Sequence, residues 1–244
     1  MPADEAEIAR ARMLALEPGG FEEDDRGAEI ELAAYVDDEG EERVRAAFGA
    51  VTSVPVDEGW EDRWREFHRP VRAGGLWIGP PWEAPPVGEP AVVVDPGRAF
   101  GTGAHPTTRA CVELLAGVER GSLLDAGCGS GVLSVAACRL GFEPVHALDS
   151  DASAVEVAAA TARLNGVRVD VRAGDVLRDE LPAVEVVVAN IELRVVEALL
   201  ARDPAPVALT SGYLAHEAPV VAGWERGDRI ELEGWAADVL HSTL

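Results

Sequence analysis

Residues 123–133, LLDAGCGSGVL, followed by a strand-like VHALD ending at Asp149, constrain the fold of this chain more than any other segment. An apolar run enters a glycine-rich turn, a helical pattern leaves it, and a carboxylate stands 22 residues after Gly127. An open α/β sheet holds an adenosine-containing cofactor with this layout. Glycines let the ligand approach the backbone, and the acid after the second strand accepts the ribose hydroxyls. The glycine spacing narrows the choice. A dinucleotide fingerprint reads G-x-G-x-x-G and seats a pyrophosphate, whereas Gly127, Gly129 and Gly131 read G-x-G-x-G, with Asp125 two residues upstream. A glycine triplet alone would signal only strand-to-helix geometry. Asp149 in its place makes cofactor binding the better reading.

The pattern around the turn supports such a sheet. From Ala91 onward strand and helix signals alternate. AVVVD (91–95), SLLDA, PVHALD, RVDVRA, VEVVVAN and PVALTS read as strands, most of them buried and parallel. Helical patterns are expected at 106–118, opened by Pro106, and at 131–140, 152–164, 193–202 and 215–224. RIELEGWAADVLHSTL reads as two closing strands, one of them antiparallel. The fold class is α/β, a doubly wound sheet with right-handed crossovers, and residues 91–244 form the domain that carries it.

Two zones precede it. Residues 1–57 read as a small α+β domain: an amphipathic helix at 4–16 with Ile8, Ala11, Met13 and Leu16 partly in register for one face, short alternating strand-like runs, notably at 28–36, a charged helix near 39–49 and a strand at 52–56. The αββαβ order resembles a ferredoxin-like unit short of its first strand. Residues 58–90 read as a Trp/Pro-rich linker. Trp60 and Trp64 share a helical face with Phe67 behind them, and Trp82 is a candidate for a substrate entrance.

Composition excludes some function classes. The net charge is −23, and the 21 basic residues are all arginine, so no broad basic surface is available for nucleic-acid phosphates. The acidic excess suits a basic partner or simple solubility. Cys111, Cys128 and Cys138 show no C-x-x-C pairing, no metal site is expected, and the charged N-terminus has no apolar run. A reduced, soluble, cytoplasmic monomer is expected.

Four segments should meet at the carboxyl ends of the strands. Gly127 and Gly129 offer backbone, with Cys128 as a small spacer, and Asp149 offers a carboxylate to a ribose diol. Asp175, after Gly174, is a candidate for reading an adenine amino group. Asn190, at the end of VVVAN, can accept from an amine and orient its lone pair, so it is the catalytic candidate. Ahead of them DPGRAFGTGAHPTTR (95–109) reads as a lid over the cofactor: Phe100 an apolar cover, Gly101 and Gly103 flexible backbone, Thr102 a further binding candidate in the loop, and Thr107 and Thr108 hydroxyls at a helix start. His105, beside Pro106, is read as structural rather than as a base.

These motifs, W-x3-W-x2-F-x2-P, LWIGPPW, DPGRAFGTGAHPTTRAC, LLDAGCGSGVLSVAA, ALDSD and VVVANI, taken in order from about residue 18 onward, resemble the bacterial ribosomal protein methyltransferases, nearest those modifying large-subunit protein eleven. FGTGxHPTT is the most specific of them, and the E/D-x-G-x-G-x-G turn resembles motif I of S-adenosylmethionine-dependent enzymes. The resemblance implies a seven-stranded, Rossmann-like class I methyltransferase sheet with a small N-terminal domain that grips the ribosomal protein. It implies S-adenosylmethionine as cofactor, lysine ε-amines and an N-terminal α-amine as acceptors, and Thr108, Gly127, Asp149 and Asn190 as cofactor contacts. The family's N-I/L-L run is here Asn190-Ile191-Glu192-Leu193-Arg194. The alternatives are a methyltransferase acting on another protein lysine or a small amine, and a non-catalytic S-adenosylmethionine-binding protein. A nicotinamide oxidoreductase is disfavoured by the glycine spacing.

Overall fold

The structure, a computed structural model, describes residues 9, 12, 13, 16, 22–25, 30–34, 36, 38–49, 51–54, 69–95 and 103–243. The chain divides into two compact units, Met1–Glu61 and Asp62–Leu244.

In the first unit β1 (Glu22–Asp25) pairs antiparallel with β2 (Ile30–Ala33), and α1 (Asp38–Phe48) follows. An i,i+4 pair, Arg45 to Glu41 at 2.6 Å, runs along α1, and Gly49, at φ +76°, ends it by donating its N–H to the Arg45 carbonyl at 2.9 Å. Residues 9, 12, 13 and 16 are helical, with Ala9 and Met13 buried; Ile8 and Ala11 lie outside the described residues. The strand expected at 52–56 does not form in its described part. Val54 is 74% exposed, so nothing is gained by pairing it, and Pro55 has no N–H for a ladder.

In the second unit the stretch expected to be a linker carries structure. β3 (Val71–Ala73) and β4 (Leu76–Gly79) form a hairpin across Gly74 and Gly75, both at positive φ as a tight hairpin turn requires. β5 (Ala91–Val93) pairs parallel to β4, so AVVVD joins this small three-stranded sheet rather than the main one. Leu76, Ile78 and Val92 are buried in the larger core cluster. Trp60, Trp64 and Phe67 lie outside the described residues.

The main sheet has seven strands: β6 (Leu123–Ala126), β7 (Val145–Asp149), β8 (Asp170–Ala173), β9 (Val186–Asn190), β10 (Val207–Leu214), β11 (Trp224–Leu232) and β12 (Trp235–Ser242). Their order is β11-β12-β10-β9-β6-β7-β8. β12 pairs antiparallel with both its neighbours, while β10, β9, β6, β7 and β8 run parallel. It is therefore the single strand running against the rest, as the sequence suggested for one of the closing pair. The α2 (Pro106–Gly117), α3 (Val132–Leu140), α4 (Ala152–Leu164) and α5 (Leu193–Leu200) helices cover the sheet. Period-two alternation feeds two cores: Val186 and Val188 of β9 enter one cluster, Val187 and Ala189 the other. Strand β8, expected to be buried, is the exposed edge.

No helix forms at 215–224. This connection is held in turns by Arg229, whose Nη2 donates to the carbonyls of Ala215 at 2.6 Å and Glu217 at 2.9 Å. Glu217 also accepts from the Leu214 N–H at 2.8 Å, and Pro219 could not donate within a helix interior. Arg229 is itself anchored on Asp238, fully buried on β12, at 2.9 Å. Among the described residues no helix is long and apolar enough to cross a membrane, and no cluster could hold a metal ion.

Candidate active site

Strand order reverses between β6 and β9, and a crevice opens there beyond the carboxyl ends of the strands. It has a volume of about 890 Å³ and is lined by Thr107, Gly127, Gly129, Asp149, Asp175 and Asn190 among others. Six of the ten residues singled out from the sequence thus meet in one place. Phe100, Gly101 and Thr102 lie outside the described residues. Thr108 is not on the wall; it is buried, with its hydroxyl 3.5 Å from Asn190 Nδ2.

The turn after β6 is fixed by backbone. Gly127 and Cys128 both donate their N–H groups to the Leu148 carbonyl at the end of β7, at 2.8 and 3.0 Å. A Cβ on Gly127 would lie 2.5 Å from Ile191 Cγ2, and its φ is +77°, so the position requires glycine on both counts. Gly131 serves packing instead: a Cβ there would meet the α4 backbone at Ala158, 2.9 Å away. Burial pushes the Cys128 thiol well above its ordinary range, which leaves it a spacer and no nucleophile.

Asp149 is oriented by two backbone donors. Its Oδ2 accepts from Gly129 N–H at 2.9 Å and its Oδ1 from Asp151 N–H at 3.0 Å. The competing role for this acid, capping α4, belongs to Asp151, which accepts from Ser153 N–H at 2.8 Å. Asp175 faces the crevice while closing a local turn, accepting from Leu177 N–H at 2.9 Å and pairing with Arg178 at 3.1 Å. Beneath the turn Asp125 is buried and accepts from the Ser134 hydroxyl at 2.5 Å. Burial raises its pKa to about 6 against that hydrogen bond.

Asn190 ends β9 and reaches across to the start of α2. Its Nδ2 donates to Thr107 Oγ1 at 3.0 Å and to Thr108 Oγ1 at 3.5 Å. Both amide protons have partners, so Oδ1 is the atom presented to a ligand N–H. The Thr107 hydroxyl in turn lies 2.7 Å from His105 Nδ1, which also accepts from the Thr107 N–H at 3.4 Å. The His105 ring meets Trp235 edge-on, centroids 5.1 Å apart.

Several wall residues escaped the sequence reading. Val176, Leu177 and Ile191 supply apolar surface, Trp235 an aromatic side and Gly212 a close backbone approach. An apolar pair straight after the Gly174-Asp175 turn was the one available signal. Gly212 sits at the irregularity in the β10–β12 register with φ +98°, and a Cβ there would fall within 2.9 Å of the Ile191 backbone nitrogen. Trp235 arrives from the closing hairpin, so only the topology brings it here. Trp82 does not line the crevice.

The lining fits an adenosine cofactor bearing a short charged tail. Apolar side chains can sandwich a base, Asp149 can take a diol, and bare glycine backbone faces the space between. The acid and the amide stand at the ends of β7 and β9, the two strands that flank β6.

A family model described as ribosomal protein L11 methyltransferase matches residues 14–236. The ribosomal protein L11 methyltransferase of Exiguobacterium sibiricum is 36% identical over 209 residues, which are 78% of this chain and 66% of that protein. The protein of the same name from Shewanella halifaxensis is 39% identical over 180 residues, 69% of this chain and 61% of its own length. The chain spans about two thirds or less of the length of these curated relatives. A solved ribosomal protein L11 methylase from Lactobacillus delbrueckii subsp. bulgaricus superposes with a TM-score of 0.61 at 25% identity, over 70% of this chain and 96% of that one.

Proposed function

The chain belongs to the ribosomal protein L11 methyltransferase family, and from that premise we propose that it transfers methyl groups from S-adenosylmethionine to amines of a large-subunit ribosomal protein. The acceptors are lysine ε-amino groups and an N-terminal α-amine. The observation that carries the reading is the convergence of Asp149 and Asn190 on one crevice, with the Asn190 carbonyl left as the acceptor for an incoming N–H. The seven-stranded sheet is, on this reading, the doubly wound Rossmann-like sheet of class I methyltransferases. The first unit is the ferredoxin-like substrate-recognition domain, and the net charge of −23 suits a basic protein partner.

When bound, S-adenosylmethionine supplies an electrophilic methyl group on a sulfonium. Asp149 would take the ribose diol, the backbone of Gly127 and Gly129 would hold the amino-acid tail, Asp175 would read the adenine amino group, and Val176, Leu177 and Ile191 would hold the base. Asn190 Oδ1 accepts one N–H of the neutral amine and so turns its lone pair toward the methyl group. The leaving group would be a neutral thioether, so the chain need supply no general acid. A lysine ammonium near pKa ~10.4 must first lose a proton to water, and desolvation in the crevice lowers that pKa. Positioning then supplies most of the acceleration, for which about 7–11 kcal/mol is available in well-oriented systems.

The test is transfer of labelled methyl from S-adenosylmethionine to undermethylated ribosomal proteins, wild type beside Asp149→Ala, with the labelled band identified by mass. The chain contains no lysine, so label on an ε-amine cannot come from the enzyme itself. Label on ribosomal protein L11 that vanishes in the variant establishes the reading. Cofactor binding without label there points to another protein lysine, a small amine, or a binding protein without turnover.

A further inference from the structure

We propose that His105 is a positioning residue for methyl transfer: through Thr107 it fixes which way the Asn190 carboxamide faces, and so presents Asn190 Oδ1 to the acceptor amine. The inference rests on the crevice being the methyl-transfer site proposed above. Its basis is a count of protons along one hydrogen-bonded chain.

The Thr107 hydroxyl has one proton. His105 Nδ1 accepts from the Thr107 backbone N–H, so it carries a lone pair rather than a hydrogen, and the hydroxyl 2.7 Å away donates to it. With its proton spent, Thr107 Oγ1 can only accept from Asn190, which holds the NH2 side of the carboxamide against α2 at 3.0 Å and turns the carbonyl oxygen outward. Without an acceptor at His105, the hydroxyl could donate to Asn190 Oδ1 and the carboxamide could flip. An NH2 group would then face the amine, donor against donor, and the lone pair would lose its guide.

The surroundings keep the ring in the form this requires. Burial holds the His105 pKa below the ordinary imidazole range, against the pull of Glu233 at the β11–β12 turn. Glu233 is paired with Arg109, one turn along the helix that His105 caps, at 2.9 Å. Trp235 covers one side of the ring, and the remaining carboxylates of the crevice are Asp149, Asp175 and Glu192. Protonation puts a hydrogen on Nδ1, releases the Thr107 hydroxyl proton and frees the carboxamide to turn. Methyl transfer therefore acquires an acid limb set by a residue that is no base in the reaction.

The experiment compares His105→Ala with His105→Asn. An asparagine Oδ1 is bonded to Cγ as the histidine Nδ1 is, so the second variant offers an acceptor at the same place and an N-cap of its own without a titrating ring. His105→Ala is expected to lower kcat about 10- to 100-fold with cofactor affinity nearly unchanged. His105→Asn should recover most of that rate and lack the acid limb. A second readout does not depend on turnover. The chain has no glutamine and only two asparagines, Asn165 and Asn190, so its side-chain NH2 spectrum holds two pairs of signals. The Asn190 pair should move in His105→Ala and stay near its wild-type position in His105→Asn. Wild-type turnover in His105→Ala, no rescue by His105→Asn, or an unmoved Asn190 pair each overturns the proposal. A wild type that methylates no amine would instead sink the functional reading, with the NMR arm still deciding whether His105 sets Asn190.

Discussion

Gly129 donates its backbone N–H to Asp149 Oδ2 at 2.9 Å, so the tip of the glycine turn and the acid after the next strand hold each other in place. The link is intrinsic to the turn and leaves lone pairs of the carboxylate for a ligand. Asp149→Ala removes a charged acceptor, worth about 1.5–3 kcal/mol per hydrogen bond, and strands the Gly129 N–H. Affinity for S-adenosylmethionine, measured calorimetrically, should fall by about 100-fold, and the melting temperature of the free protein should drop by several degrees as the two backbone donors lose their acceptor. Affinity close to wild type would remove Asp149 from the site.

Asn190→Ala should behave differently. On the proposed reading the amide serves the reacting nitrogen more than the cofactor, so kcat should drop by about 10²- to 10³-fold, the size seen when one oriented polar group is lost from a transition state. Cofactor affinity should fall far less. Steady-state kinetics beside calorimetry separates the two, and an equal loss in both would make Asn190 a cofactor ligand alone.

What could be read from the sequence was local, and what escaped it was not. The turn, Asp149 and Asn190 are each specified within a few residues of a strand end, and their strands were recognisable from apolar runs. The VRAGGLWIG hairpin was read as linker because flanking prolines and tryptophans masked a two-glycine turn between apolar runs. The helix expected at 215–224 failed because Arg229, further along the chain, takes its carbonyls. The helix start offered both Thr107 and Thr108, and Thr107 is the one that lines the crevice. Adjacent residues on a helix point about 100° apart, and only the helix phase decides between them. Asn165 shows the same limit: its carboxamide pairs with both backbone groups of Val93, at 2.8 and 2.6 Å, across 72 residues of sequence.

Gly212→Ala tests whether the crevice floor depends on a bare backbone. The position combines φ +98° with a Cβ that would collide with the Ile191 main chain. Strain of about 1–3 kcal/mol adds to overpacking of similar size, so urea unfolding should show a loss of at least about 2 kcal/mol. Gly234→Ala is the control, because φ is +84° there with open space around the missing Cβ, and only the backbone strain should appear. Equal losses in the two variants would mean that the approach of Ile191 costs nothing.

Asp125 carries a pH prediction whose sign is the reverse of the usual carboxylate. Burial raises its pKa from 3.8 to about 6 in the folded protein, so the native state holds a proton that the unfolded chain has released. Below pH about 4 both states are protonated and the residue contributes no difference. As pH climbs from about 4 to about 6 the unfolded chain alone ionises, and stability is lost with rising pH. At about 1.4 kcal/mol per pH unit the loss approaches 3 kcal/mol above pH 6. Asp125→Asn keeps an acceptor for the Ser134 hydroxyl but cannot ionise. Its stability relative to wild type, measured in urea, should therefore improve by up to about 3 kcal/mol between pH 4 and pH 7. A difference independent of pH over that range would show that Asp125 is ionised beneath the turn at an ordinary pKa.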